Sequence, residues 1–171
     1  LVTSSAEAIS PGHANKRLHA ATMLRFVDYD IVFQEIPDEM TLAINISGCP
    51  HRCLGCHSPH LWEHIGKELT TDAIATLLAR YSAVSCVCFM GGDADLQALQ
   101  SLARYVRTTG KQAAWYSGFT EIPEGMMDDF DYIKIGPYVE ALGALRSPTT
   151  NQRLYRIHQG TLTHIPLNTK Q

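Results

Sequence analysis

Thr41-Leu42-Ala43-Ile44-Asn45-Ile46-Ser47 runs through Gly48 straight into Cys49-Pro50-His51-Arg52-Cys53-Leu54-Gly55-Cys56. The first stretch alternates, with Leu42, Ile44 and Ile46 on one face and Ala43, Asn45 and Ser47 on the other, which is the period of a β-strand. The second stretch crowds three thiols onto one short loop in a C-x3-C-x2-C spacing. A chain with five cysteines in 171 positions produces that spacing by chance on the order of 0.004 times, so composition does not explain it.

Outward from this stretch, strand and helix signals alternate. Met23-Leu24-Arg25-Phe26-Val27 begins the first apolar segment. Thr70 or Thr71 can cap a helix whose Ile74, Leu77, Leu78 and Tyr81 fall on one side. Residues 85–90 read as a short buried strand ending at Gly91-Gly92, and Leu96, Leu99, Ala103 and Val106 define a second helix, capped by Asp95 and stopped at Gly110. Residues 112–117, 131–138 and 152–157 supply three further strands. Strands alternating with single helices imply parallel βαβ units. A closed eight-fold barrel takes about 250 residues, more than this chain has, so the expected fold is α/β: an open, incomplete (β/α) barrel of about five to six parallel strands. In such folds chemistry sits at the carboxyl ends of the strands. The cysteine loop, Gly91-Gly92-Asp93 and Tyr116-Ser117-Gly118 all fall at such ends.

The domain is expected over residues 23–158. Residues 1–22, rich in Ala, Ser and His and without apolar period, read as a disordered leader or non-native extension, and residues 159–171 as a C-terminal tail. Lys plus Arg number 14 against 17 Asp plus Glu, a net charge of −3, so the excess positive charge of a non-specific nucleic-acid binder is missing. No apolar run approaches the roughly 20 residues of a membrane-spanning helix. An odd cysteine count with no signal-peptide layout argues against a secreted disulfide scaffold, and a reducing, cytoplasmic compartment with thiols free for metal is expected. No phosphate loop, dinucleotide fingerprint or nucleophile elbow is present.

Two metal chemistries fit the three-thiol loop. One is structural zinc held by Cys49, Cys53 and Cys56 with a fourth ligand from His51, His57, His60 or His64. Zinc modules, however, usually present two ligand pairs separated by a longer loop. The other is a [4Fe-4S] cluster, which normally takes four thiolates; three would leave one iron open to a small molecule. Cys86 and Cys88, two apart on a buried strand, read as small core hydrophobes. His57, His60 and His64 fall at helix-like spacings and read as a solvated helix face, with His57 able to flank a cofactor. Trp115 and Tyr116 point opposite ways on their strand, one toward the core and one toward a cofactor wall.

These residues resemble the radical S-adenosylmethionine enzymes, and among them the glycyl-radical-enzyme activases that serve anaerobic ribonucleoside-triphosphate reductase. The resemblance spans residues 23–157 and is carried by the cysteine loop with Gly55 before its last cysteine, Gly91-Gly92-Asp93, Trp115-Tyr116-Ser117-Gly118-Phe119, Ile133-Lys134-Ile135-Gly136 and Asn151-Gln152-Arg153. Ala94 follows Gly-Gly-Asp where the family often has Pro. The resemblance implies a radical SAM type of open barrel. It implies that Cys49, Cys53 and Cys56 hold three irons of a [4Fe-4S] cluster and that S-adenosyl-L-methionine chelates the fourth. Gly55, Cys56, His57, Gly91, Gly92, Asp93 and Ser117 would contact that cofactor, with Gly91-Gly92-Asp93 receiving its amino group. The implied activity is an oxidoreductase that generates a 5′-deoxyadenosyl radical and installs a glycyl radical on the reductase. The implied partners are that reductase and a reduced flavodoxin-like or other low-potential electron donor, with neither nucleic acid nor membrane. Activation of another glycyl-radical enzyme, small-molecule radical chemistry and a zinc-stabilised binding module remain the alternatives.

Overall fold

The computed structural model describes residues 23–167 of the chain. The expected leader, 1–22, lies outside the described residues. β1 (Arg25–Val32) and β2 (Thr41–Ile46) pair antiparallel, and β3 (Lys67–Glu68) adds two residues along the outer edge of β1. α1 (Thr71–Arg80) starts where the side chain of Thr70 accepts the backbone N–H of Ala73 at 3.1 Å. β4 (Cys86–Met90) lies parallel to β2, α2 (Leu96–Thr108) is capped by Asp95 accepting from Ala98 N at 3.0 Å, and β5 (Gln112–Tyr116) lies parallel to β4. β6 (Tyr132–Ile135) is the last parallel strand; β7 (Arg153–His158) and β8 (Thr161–Ile165) then return antiparallel. The eight strands form one sheet in the order β3-β1-β2-β4-β5-β6-β7-β8. β8 thus occupies the segment read from sequence as a C-terminal tail.

This corrects the expected fold. The chain is not an open (β/α) barrel of five to six parallel strands: it is an eight-stranded mixed sheet in which only β2, β4, β5 and β6 run parallel, with two α-helices among the described residues. The missing helices have a local cause. Between β5 and β6 the chain carries Pro123, Gly125 and the acidic run Asp128-Asp129, and makes only a 3-10 turn at Met126–Asp128. Between β6 and β7 it carries Pro137, Gly143 and Pro148, and makes another short 3-10 turn at Glu140–Leu142. The β5–β6 connection still crosses over without a helix and leaves β6 parallel to β5, whereas after β6 the chain turns back and β7 pairs antiparallel.

Both helices pack on one face of the sheet. There Ile74 and Leu77 of α1 and Leu99, Leu102, Ala103 and Val106 of α2 meet Leu42, Ile44, Ile46, Val87, Phe89, Trp115 and Ile133 in the main core. β2 alternates in sequence yet is buried on nearly every residue, because it is flanked by β1 and β4. The opposite face carries a smaller cluster of Ile36, Cys86, Cys88, Ala114, Tyr132 and Leu154. Cys86 and Cys88 are fully buried there, and burial pushes both thiols up, as befits small apolar side chains. No helix among the described residues is long and apolar enough to cross a membrane.

Candidate metal centre

The loop that leaves β2 is clamped at its base. Ser47 N donates to Arg25 O at 2.9 Å, Gly48 N to Glu63 O at 3.0 Å and Cys49 N to Leu61 O at 2.9 Å. The returning segment 61–65 therefore lies alongside the first cysteine. Beyond it the chain turns tightly, with Cys56 N donating to Cys53 O at 3.1 Å. Gly55 has φ +74°, and a Cβ there would sit 3.2 Å from a carboxylate oxygen of Glu140, so both the turn and its packing call for glycine. Cys49, Cys53 and Cys56 are free thiols, all partly exposed, and all line one cavity of about 540 Å³. Burial raises the Cys49 thiol above its usual range, and the neighbouring backbone N–H groups of His51 and Arg52 work against that rise. Ser58 N donates to Cys56 Sγ at 3.4 Å.

The cavity floor is built where the parallel strands end. Asp93, after β4, is buried and accepts four hydrogen bonds. Its Oδ2 takes His51 Nε2 at 2.5 Å, Ser117 Oγ at 2.8 Å and Gly118 N at 2.9 Å; its Oδ1 takes Trp115 Nε1 at 3.1 Å. The same indole N–H also reaches Gly91 O at 3.0 Å. Lys134, from β6, is buried and donates to Ser117 O at 3.1 Å and Gly136 O at 2.9 Å. Burial lowers its ammonium to about 8, and the Asp93 charge works against that fall.

Two loops complete the walls. From residues 33–40, Gln34 and Glu35 line the cavity; the Tyr116 hydroxyl donates to Glu35 O, and Arg146 Nη2 donates to Gln34 O at 2.6 Å. From the β6–β7 connection, Tyr138 packs against His57 with ring centroids 4.6 Å apart.

Of the residues singled out from sequence, Cys49, Cys53, Cys56, His57, Gly91, Asp93 and Ser117 line this cavity. Gly55 and Gly92 do not: the missing Cβ of Gly55 faces Glu140, and that of Gly92 faces Leu99 in the core. Tyr116 lines the cavity while Trp115 fills the core, as strand alternation demands. The helix expected to carry His57, His60 and His64 is only the 3-10 turn Pro59–Trp62, with His60 and His64 exposed. Sequence reading missed Trp62 as a wall residue and the burial of Lys134. The signal for Lys134 was present, because a charged residue between Ile133 and Ile135 must face away from the core those two enter.

The residues present fit an iron–sulfur cluster. Three free thiols share one cavity, the backbone N–H of Ser58 already donates to Cys56 Sγ, and Trp62, which lines the cavity, keeps a shielded indole N–H without a partner among the described residues. Among the described residues no group of three or more His, Cys, Asp or Glu side chains converges on a single metal position. A family model described as a 4Fe-4S single cluster domain matches residues 40–158. No curated protein and no solved structure matches the chain.

Proposed function

Because this chain belongs to the family of 4Fe-4S single cluster domains, an iron–sulfur function is its premise, and we propose that it is a radical S-adenosylmethionine activase that installs a glycyl radical on an anaerobic ribonucleoside-triphosphate reductase. The observation that carries this reading is the shared cavity. Three thiols, a buried carboxylate and a buried ammonium open onto about 540 Å³, a volume within the range of small-molecule sites. A fourth protein thiol is missing from that wall, since Cys86 and Cys88 are committed to the core.

Cys49, Cys53 and Cys56 would hold the cluster, in the backbone clamp set by Glu63 and Leu61. The chemistry a bound, reduced cluster would supply there is one electron for reductive cleavage of the sulfonium of S-adenosylmethionine, which would yield methionine and a 5′-deoxyadenosyl radical. Asp93 orients the amino group of that cofactor: its Oδ1 accepts only Trp115 and keeps a lone pair toward a further donor. Lys134 offers the opposite charge to the carboxylate of the same zwitterion. His57 and Tyr138 make an aromatic wall, and Arg146 ties the two wall loops together through Gln34 O.

Three exposed apolar side chains adjoin cavity-lining residues. Phe33 precedes Gln34, Leu54 follows Cys53 and Val139 follows Tyr138, and Leu54 is 88% exposed. A protein partner covering the mouth would bury them, which supports a macromolecular substrate. The test is anaerobic reconstitution with iron and sulfide, reduction, and assay for 5′-deoxyadenosine, followed by electron paramagnetic resonance of the reductase. A glycyl-radical signal that needs this protein, reductant and S-adenosylmethionine together is the expected result. An oxygen-free preparation carrying stoichiometric tetrahedral zinc overturns the reading.

A further inference from the structure

Trp62 closes the 3-10 turn Pro59–Trp62, directly between the two residues whose carbonyls hold the base of the cysteine loop: Leu61 O accepts Cys49 N and Glu63 O accepts Gly48 N. Its side chain lines the cavity shared by Cys49, Cys53 and Cys56. Its Nε1 is shielded from solvent and has no acceptor among the described residues. Buried N–H groups are costly to leave unpaired, and the other tryptophan follows that rule, with Trp115 Nε1 donating to both Gly91 O and Asp93 Oδ1. The two other shielded, unpaired side-chain atoms among the described residues, Thr41 Oγ1 and Asn151 Oδ1, belong to residues that do not line the cavity. Among the described residues Trp62 is thus the cavity-lining residue with an orphaned donor, and its backbone neighbours Leu61 and Glu63 hold Cys49 and Gly48.

We propose that the Trp62 indole N–H donates a hydrogen bond to a sulfur of the cluster held by Cys49, Cys53 and Cys56, and thereby raises the reduction potential of that cluster. Hydrogen bonds to the sulfurs are one of the means by which a protein sets this potential. Reduction adds negative charge to the sulfurs, so a donor there stabilises the reduced form more than the oxidised one. Trp62 is accordingly a positioning and tuning residue, distinct from the ligands. The inference rests on the cluster assignment and not on S-adenosylmethionine or on any partner.

The experiment compares anaerobically reconstituted wild-type protein with Trp62→Phe, and with Trp62→Tyr as a second variant, in potentiometric titrations followed by electron paramagnetic resonance. Iron and sulfide content is measured first. The expected result is a lower midpoint in the variants, with the one-electron reduction constant down about tenfold, about 59 mV. Wild-type protein labelled with ¹⁵N in the indoles is expected to show a nitrogen hyperfine coupling to the reduced cluster that is lost in Trp62→Phe. Variants that bind less cluster but titrate at the wild-type midpoint show a packing role only and overturn the inference. A wild-type spectrum without ¹⁵N coupling overturns it even where neither variant holds iron. Wild-type protein that fails to assemble a cluster overturns the cluster assignment itself, a separate and earlier failure.

Discussion

Replacing Asp93 by Asn removes a charge and almost no volume, so it isolates what the carboxylate does for the metal-free fold. Four donors converge on a side chain that is 2% exposed. His51 Nε2, Ser117 Oγ and Gly118 N share Oδ2, and Trp115 Nε1 meets Oδ1. A hydrogen bond to a charged acceptor contributes about 1.5–3 kcal/mol and a neutral one about 1. If the amide oxygen takes the crowded position, three bonds weaken and the new NH2 faces the Trp115 N–H. Two donors then oppose each other at a further cost of about 1–3 kcal/mol. The flipped amide is worse, since it sets NH2 against three donors. An amide is cheaper to bury than a carboxylate, which offsets part of this. The net expectation is a loss of about 3 kcal/mol, near the range for breaking a buried charged pair. Urea unfolding of the reduced, metal-free protein reads it as a lower midpoint at unchanged slope. Ser117→Ala, which deletes one donor of four, is expected to lose only about 1–2 kcal/mol. A loss below about 1 kcal/mol for Asp93→Asn would refute the view that this carboxylate organises the cavity floor.

Lys134 sets a pH dependence of known sign. Burial lowers it from 10.5 to about 8, so between those values the unfolded chain holds a proton that the folded chain has released, and stability rises with pH across that window. The shift corresponds to about 3 kcal/mol; the raised Cys49 and Tyr116 act in the opposite direction. The difference between metal-free wild type and Lys134→Met, followed by chemical denaturation from pH 7 to 11, isolates the lysine, and a flat difference counts against its burial. Serine at Cys49, Cys53 or Cys56 is expected to remove most bound iron and sulfide, whereas Cys88→Ala retains both; elemental analysis after anaerobic reconstitution decides, and loss of iron in Cys88→Ala contradicts the ligand set. Gly92→Ala forces a side chain onto a φ of +93° with its Cβ 2.9 Å from Leu99 Cδ1, and is expected to destabilise by about 2–4 kcal/mol in thermal unfolding. A wild-type midpoint would show that this turn yields freely.

The elements that sequence exposed are those fixed by local chemistry. Thr70 and Asp95 cap their helices because a hydroxyl or carboxylate before an apolar period has an N–H to bind three residues later, and that needs no tertiary information. β2, β4, β5 and β6 were legible from short apolar runs. Strand direction was not, because alternation is the same whichever way a neighbour runs. The breakers Pro123, Gly125, Pro137, Gly143 and Pro148 stood in the two connections that a barrel needed to make helical, and giving them their full weight would have removed those two helices, though not told the direction of the strands that follow. β8 was hidden because nearly all of it is exposed, so burial left no period to read. The site divides in the same way. Three cysteines on one loop announce themselves, but His51 meets Asp93 across 42 positions, and no spacing rule links them.

That the cysteine loop, Asp93 and Ser117 share one cavity although the expected barrel was incorrect follows from what the rim rule requires. Ligands gather at the carboxyl ends of parallel neighbours because loops there share one edge, and closure into a barrel adds nothing to that condition. β2, β4, β5 and β6 satisfy it as four adjacent strands, so the cysteine loop, Gly91, Asp93, Ser117 and Gly136 reach one cavity. What closure would have added is wall. Here the wall comes from residues 33–40 and the β6–β7 connection, held by side chain to backbone bonds such as Arg146 to Gln34 O rather than by a strand ladder. Such bonds are few and individually modest. The floor, set by the sheet and by the Asp93 network, is therefore the rigid half of the site, and the loop wall is the half that depends most on what lies against it.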